Sequence, residues 1–384
     1  MQKQFKYRIY PTKKQTRLLN ETLEECRWLY NHLLEQRREV YEPEGKVLSC
    51  FEQQRTYATL KEQRPSLNIA HSQVLQNVAI RIDLVFKAFI RRCKHGENPG
   101  FPRLKGPGRY DSITYPQIPN GCQIKDGKLF LSKIGHVKIE LHRPLRGSPK
   151  ACTISCSSTG KWYACFTTEC EPERLPDIPE QVGIDIGLKT FATLSNEQEI
   201  DNPRFFHTEK KALAKAQRRL SKAEKDTKRH HKRRKVVARV HERTTWRREN
   251  FTHQHSRSIV NHFGIICVED LHANQMVHNH CLTKSIADAA WSAFFNQLAA
   301  KAVEAGRRLI KVNPAYISQT CSKCGHRQKK PPSEHILDCP CCHLQIDRDL
   351  NAALNILALG LQSQGNHSLE APAKRRGVVT LSTD

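Results

Sequence analysis

Three acidic residues far apart in the chain have the type and setting to hold divalent cations: Asp185 in Gly-Ile-Asp-Ile-Gly, Glu269 in Ile-Ile-Cys-Val-Glu-Asp, and Asp349 in Asp-Arg-Asp-Leu-Asn-Ala-Ala. Each stands where a predicted strand or helix begins or ends. Carboxylates converging from distant segments are the usual way a protein holds two hard cations. Asp185 lies in an apolar strand, where an uncompensated carboxylate is costly to bury. Taken alone, this segment also fits an Asp that satisfies turn amides. Glu269 ends an apolar run, and Asp270, on the opposite face of the same strand, is its competitor; Glu269 is taken as the ligand and Asp270 as a cap. Asp347 is placed to cap a helix whose first turn carries Asp349, and a helix N-terminus keeps a first-turn carboxylate ionised. Singly these acids read as structural, whereas together in a basic chain they read as a metal site of a nuclease.

A second constellation is made of sulfur. Cys321-Ser-Lys-Cys324 and Cys339-Pro-Cys-Cys342 are two Cys-x-x-Cys knuckles with fourteen residues between them. That spacing is a zinc ribbon, in which four thiolates surround one tetrahedral Zn²⁺. A redox dithiol needs only one knuckle. Cys341 can replace a ligand in principle, but Cys339 with Cys342 preserves the two-residue spacer; His326 and His343 read as ribbon surface. Four sulfurs leave no open position, so the zinc is expected to be structural.

Lys plus Arg number 63 against 38 Asp plus Glu, a formal net charge of +25. A field of that size recruits polyanions. Lys210 to Arg248 is almost single-signed, with Leu213, Leu220, Val237 and Val240 at helical intervals; it reads as one long basic helix contacting phosphate backbone, and nothing in it reads base edges. The N-terminus lacks the apolar stretch of a signal peptide, and no stretch is long enough to span a bilayer. An intracellular, soluble protein without a membrane partner is expected, and fifteen cysteines scattered outside one cluster fit a reducing compartment.

The elements that must position these groups follow from periodicity. Phe5, Tyr7 and Ile9 alternate on a short strand, and Thr12 with Gln15 forms a capping box that opens a helix. Val74, Leu75, Val78, Ile82, Val85, Phe86 and Phe89 make a second helical stripe. Gly96 to Arg109 is a loop. From Tyr110 to about Cys170 the period is two, through Lys128 to Leu131, Val137 to Leu141 and Trp162 to Phe166, which predicts a small antiparallel barrel that the first strand completes. The acidic, proline-bearing linker Glu171 to Glu180 leads into an apolar strand from Gln181 and a second strand through Leu194. After the basic segment come a strand at Phe263 to Val268, a helix from about Lys284 to Gly306, a strand at Leu309 to Val312, and a last helix near Asp349. Strands alternating with helices predict an α/β core.

These residues resemble a known family. Gly-Ile-Asp-Ile-Gly-Leu-Lys-Thr-Phe-Ala-Thr-Leu-Ser, Asn-Pro-Arg-Phe-Phe with Ala-Gln-Arg-Arg-Leu-Ser, Val-Glu-Asp-Leu, and Ser-Gln-Thr-Cys-Ser-Lys-Cys-Gly with Asp-Arg-Asp-Leu-Asn-Ala-Ala-Leu-Asn-Ile look like TnpB, the insertion-sequence protein related to type V CRISPR effectors. The opening Tyr-Arg-Ile-Tyr-Pro-Thr-Lys-Lys-Gln fits as well. The resemblance implies a multidomain α+β chain: a wedge β-barrel (1–10 and 110–170), a helical recognition insertion (11–109), a ribonuclease-H-like RuvC α/β core (181–360) and a zinc-ribbon insertion (316–346); the polar residues 361–384 are themselves expected to be a disordered tail. It matches Asp185, Glu269 and Asp349 to the family's catalytic Mg²⁺ ligands, and Cys321, Cys324, Cys339 and Cys342 to its zinc site. One departure is His343, where a glycine often follows the last cysteine.

The family binds a guide RNA from its own element and cuts double-stranded DNA beside a short motif, so specificity would come from guide pairing. The function expected is two-metal, Mg²⁺-dependent hydrolysis of target DNA in the prokaryotic cytosol or nucleoid, with one protein per RNA. A guide-dependent DNA-binding regulator, a transposase or accessory transposition protein, and a zinc-ribbon adaptor are the rivals.

Overall fold

The computed structural model describes residues 1–44, 48–270, 290–329 and 334–367. It divides into two units, Met1–Glu171 and Pro172–Asp384.

In the first unit, strand β1 (Gln2–Tyr10) turns Phe5, Tyr7 and Ile9 inward and leaves its even-numbered side chains more exposed. It is the centre of a seven-stranded antiparallel sheet. The spatial order is β2 (Ser112–Tyr115), β6 (Ser148–Cys156), β7 (Trp162–Glu169), β1, β5 (Gly135–Glu140), β4 (Lys128–Leu131) and β3 (Cys122–Lys125). The sheet curls into a nearly closed barrel. Among the described residues between β1 and β2 there are four α-helices, α1 (Lys13–Glu44), α2 (Cys50–Arg55), α3 (Tyr57–Gln63) and α4 (Ser72–Lys94). The capping box at the start of α1 forms, with Gln15 N–H donating to Thr12 Oγ1 at 3.3 Å and Thr12 N–H to Gln15 Oε1 at 3.0 Å. Leu19, Leu23 and Leu33 of α1 and Val74, Val78 and Ile82 of α4 join the inner face of the sheet in one core. Among the described residues no helix is long and apolar enough to cross a membrane.

The second unit is built on a five-stranded sheet ordered β10 (Glu199–Asp201), β9 (Thr190–Leu194), β8 (Gln181–Ile186), β11 (Ile265–Glu269) and β12 (Arg308–Val312). The first three strands are antiparallel, and β8, β11 and β12 are parallel. The apolar runs of β8 and β11 are buried, as parallel strands covered by helices require.

The basic segment is two helices rather than one. α5 (Phe205–Ser221) and α6 (Lys228–His262) pack together and are separated by a turn with Asp226 at a left-handed φ of 62°. Thr227 then caps α6 by accepting from His230 N–H at 3.1 Å. A short polar side chain able to cap a new helix outweighs the continuing charge pattern. The later helix, α7, is Trp291–Ala305; the part predicted before it, 284–289, lies outside the described residues.

A two-stranded ladder, β13 (Ile336–Asp338) with β14 (Gln345–Asp347), precedes the last helix α8 (Arg348–His367). The expectation that order ends at Gly360 needs correction, because α8 continues through it to His367. Residues 368–384 lie outside the described residues.

Candidate metal centre and nucleic-acid face

Asp185 and Glu269 meet because parallel strands keep register. Val268 pairs with Ile184, so the next residue on each strand, Glu269 and Asp185, stands level at the carboxyl ends of β11 and β8. Such ends, at the point where strand direction changes in a sheet, are where ligands bind.

Asp349 arrives from α8, whose start is set by Asp347: its Oδ1 accepts from Asp349 N–H at 2.8 Å and from Leu350 N–H at 3.1 Å. The helix then lies directly on the sheet. A Cβ on Gly183 would stand 2.1 Å from the Ala353 carbonyl oxygen, and one on Gly360 would stand 2.3 Å from Cys267 Sγ. Glycine at both contacts lets helix and strands approach closely.

The electrostatics register this convergence. Asp185 is pushed up to about 8, first by burial and then by the negative charges of Glu269 and Asp349; the Arg348 guanidinium and the Ile186 amide pull the other way without offsetting it. Burial pushes Glu269 up to about 7. Arg348 Nη2 is 3.4 Å from Asp349 Oδ1. Carboxylates held near one another without enough local positive charge have the chemistry to attract a cation, although among the described residues only the four cysteines are gathered tightly enough to hold one ion as they stand. The structure therefore brings all three sequence-singled acids to one place. Asp270 is turned to Lys311, its Oδ1 accepting from Nζ at 2.9 Å.

The four cysteines form a tighter group. Cys321 and Cys342 sulfurs are 3.6 Å apart, those of Cys324 and Cys339 are 3.5 Å apart, and all four lie within 4.8 Å of one another. A tetrahedron with metal–sulfur bonds of about 2.3 Å has edges of about 3.8 Å, so the set suits one zinc-sized ion and its sulfurs are too far apart for disulfides. Backbone N–H groups of Cys342 and Cys341 hold the Cys339 thiol down to about 6. Cys341 is exposed and outside the group. His343, where a glycine was expected, adopts a left-handed φ of 56°, just as Gly325 does at 75° after the first knuckle.

Residue chemistry alone did not single out the ties between this module and α8. Asn351, fully buried, accepts from Ser322 N–H at 2.8 Å and donates to Thr320 O at 2.8 Å. Asn355 donates to Ile317 O at 2.9 Å and to Thr320 O at 2.7 Å. Their signal in the sequence was Asn at i and i+4, one helix face, directly after Asp349.

On α5, Glu209, Leu213 and Ala216 are buried, which turns Lys210, Lys211, Lys215, Arg218 and Arg219 to solvent along a cleft of about 810 Å³. Glu209 clamps α6 by ion pairs to Arg243 at 2.7 Å and Arg247 at 3.0 Å. The cationic row is thus presented on a braced helix pair, suited to phosphate backbone.

Comparison with known proteins adds three family matches. Residues 165–280 match a family described as "Probable transposase", residues 291–356 a "Cas12f1-like, TNB domain", and residues 1–46 a "Helix-turn-helix domain". The described part of that last segment folds as β1 and the single helix α1. A Streptomyces pristinaespiralis protein named "Putative RNA-guided DNA endonuclease" is 31% identical over 367 residues, 93% of this chain and 89% of that protein. An Escherichia coli K12 protein named "Putative RNA-guided DNA endonuclease InsQ" is 29% identical over 380 residues, covering 93% of this chain and 92% of that one. The solved structure titled "Cryo-EM structure of the Cas12f1-sgRNA-target DNA complex" aligns with a TM-score of 0.57 at 17% identity, over 90% of this chain and 83% of that chain. At that identity the likeness is one of fold.

Proposed function

The chain belongs to the TnpB family, and from that premise we propose that it is an RNA-guided DNA endonuclease of an insertion sequence, cutting target DNA by Mg²⁺-dependent hydrolysis at Asp185, Glu269 and Asp349. One observation carries the proposal: Asp185 is half-buried near two further carboxylates, and their repulsion adds to partial loss of water in pushing it up to about 8.

The five-stranded mixed sheet, with two acids at the carboxyl ends of parallel strands and the third on a helix laid across them, supports a ribonuclease-H-like RuvC core. Residues 1–10 and 110–170 would be the wedge barrel, 11–109 the recognition insertion and 316–346 the zinc ribbon. Cys321, Cys324, Cys339 and Cys342 would hold Zn²⁺ with no open position, a structural role.

Asp185, whose carboxyl feels the charges of both other acids, would hold the divalent ions together with Glu269 and Asp349. Bound magnesium would supply an activated water and stabilise the leaving oxygen. The protein's own part would be to keep the three carboxylates in one neighbourhood and to hold Asp185 and Glu269 half-buried, so that a cation offsets their charge. The α5 row would grip phosphate backbone, leaving sequence choice to a guide RNA and to a short DNA motif.

The test is direct: purify the chain with its copurifying RNA, supply matching double-stranded DNA and Mg²⁺, and look for cleavage. Asp185→Ala is expected to abolish cutting while leaving guide-dependent DNA binding nearly intact. Absence of any cut by the wild type under these conditions overturns the proposal. The family description "Probable transposase" is the observation behind a second reading; joined rather than hydrolysed DNA ends would favour it.

A further inference from the structure

One basic passage of the sequence has no task in the nuclease proposed above: the Gly/Pro-rich loop 96–109. Together with the end of α4 it carries Arg91, Arg92, Lys94, Arg103, Lys105 and Arg109. The one carboxylate among them, Glu97, is bound by Arg92 at 2.5 Å.

The loop contains no helix or strand, yet it is fixed at two points. At the first, the Phe101 ring packs edge-on against Phe86 and Phe89 of α4, with centroids 5.7 Å apart in both pairs. At the second, the backbone of Lys105 is clamped to α1. Its N–H donates to Asn31 Oδ1 at 2.7 Å, and its carbonyl accepts from Asn31 Nδ2 at 3.0 Å and from Arg27 Nη1 at 2.8 Å. Side chains of two helices thus make the loop a mount for what lies between the pins.

Three residues lie there: Pro102, Arg103 and Leu104. Pro102 fixes its own φ and restricts Phe101 before it. Arg103 is exposed, and no carboxylate among the described residues pairs with it. Leu104 is 53% exposed. An exposed leucine by itself means nothing. On a braced tip, with cations on both sides in the chain, it has the make-up of the apolar wedges that proteins push between base pairs.

The charge selects a polyanion, and the leucine selects one whose bases are within reach. Phosphate backbone alone is gripped by cations and gains nothing from an apolar tip. Where two strands part, the last base pair presents an apolar face.

We propose that residues 102–104 are a strand-parting tip for double-stranded target DNA: Leu104 covers the last base pair beside the opening, and Arg103 holds a phosphate next to it. The proposal rests on the function above and deepens it, since a guide can pair only with a duplex that has been opened.

The experiment measures opening rather than cutting. Guide-loaded full-length protein is mixed with matched DNA carrying 2-aminopurine, whose fluorescence rises on unstacking, at one position at a time across the matched segment. One DNA is fully paired, and a second is mismatched over its first few base pairs so that it is already open. Leu104→Ser is expected to slow opening of the paired DNA about tenfold. On the pre-opened DNA it should differ from the wild type by less than about twofold. Leu104→Met, apolar and of similar volume, should restore opening. Asn31→Ala, which removes two of the three bonds on Lys105, should slow the paired DNA in the same direction.

Because Leu104 is exposed, Leu104→Ser should keep the wild-type thermal transition. Equal slowing on both DNAs makes residue 104 an ordinary contact and overturns the tip. So does wild-type opening of paired DNA by Leu104→Ser, including the case in which that variant instead loses self-association and so assigns the leucine to a second copy. Wild-type opening by Asn31→Ala overturns the braced mount. A wild type that opens matched DNA but never cuts it defeats the nuclease function while the opening ratio still decides the tip; one that opens nothing defeats both.

Discussion

Gly183 of β8 faces Ala353 of α8 so closely that a Cβ on the glycine would stand 2.1 Å from the alanine carbonyl oxygen and 2.7 Å from Leu357 N. This contact sets how far the Asp349 carboxylate stands from Asp185, two residues along the strand. Gly183→Ala must push α8 away, since the obstacle is backbone. Overpacking of this kind costs about 1–3 kcal/mol, and a displacement near 1 Å at a reacting centre costs about a hundredfold in rate. The expected outcome is a lower thermal transition and a cleavage rate down by about two orders of magnitude, with guide-dependent DNA binding retained. Cleavage at the wild-type rate would show that α8 does not position Asp349.

The buried acids make both activity and stability depend on pH. With Asp185 at about 8 and Glu269 at about 7, Mg²⁺ must displace protons below those values, so cleavage at subsaturating magnesium should rise from pH 6 to about pH 8.5 and then level. Stability runs the opposite way. The folded value for Asp185 lies above its ordinary 3.8, so the fold binds more protons than the unfolded chain between about pH 4 and 8, and stability falls as pH rises through that window. Asp185→Asn removes the charge. Without added magnesium it should melt higher than wild type at pH 8, equal it near pH 4, and cut nothing. A variant that melts lower at pH 8 would contradict the burial of an uncompensated acid.

Much of this was legible because the signals are local. Alternation at Phe5, Tyr7 and Ile9, the Thr12 to Gln15 capping box and the Asp347 cap are fixed by nearest neighbours in the chain, and each element formed where its cap or period placed it. The knuckle spacing located the sulfur group for the same reason. That the first strand joins the later ones was legible, but its neighbours were not: nothing near Gln2–Tyr10 announces that β1 will sit between β5 and β7. The end of order was placed too early because the residues after Gly360 are polar, whereas α8 runs on through Gly360, whose missing side chain leaves room for Cys267 on β11. The bracing of the loop 96–109 was invisible, because Asn31 and Lys105 are far apart in the chain and meet only in the fold.

Zinc should act on catalysis at a distance, through Asn351 and Asn355. These side chains tie Ile317, Thr320 and Ser322 of the cysteine module to the first two turns of α8, the helix that carries Asp349. Cys324→Ser, or removal of zinc by a chelator followed by magnesium in excess, should lower both the thermal transition and the cleavage rate. Asn351→Ala should do the same with zinc still bound, leaving buried partners unpaired at about 1–3 kcal/mol. Full activity in a zinc-free, magnesium-replete protein would uncouple the two sites.

The α5 row gives a prediction in salt rather than in rate. Lys210, Lys211 and Arg218 are exposed on the face opposite buried Glu209 and Leu213, so replacing all three by Ala removes charge without opening the core. If each neutralises one phosphate, the slope of log affinity against log salt should shrink by about 0.7–0.9 per residue, about 2–3 in total. Affinity should fall for matched and mismatched DNA alike, because backbone contacts carry no sequence information. Glu209→Gln is the control from the other side of the helix. It loosens the bridge to Arg243 and Arg247 while leaving the exposed row untouched, and should lower thermal stability with the salt slope unchanged. A triple variant with the wild-type slope would move the phosphate contacts elsewhere on this basic chain.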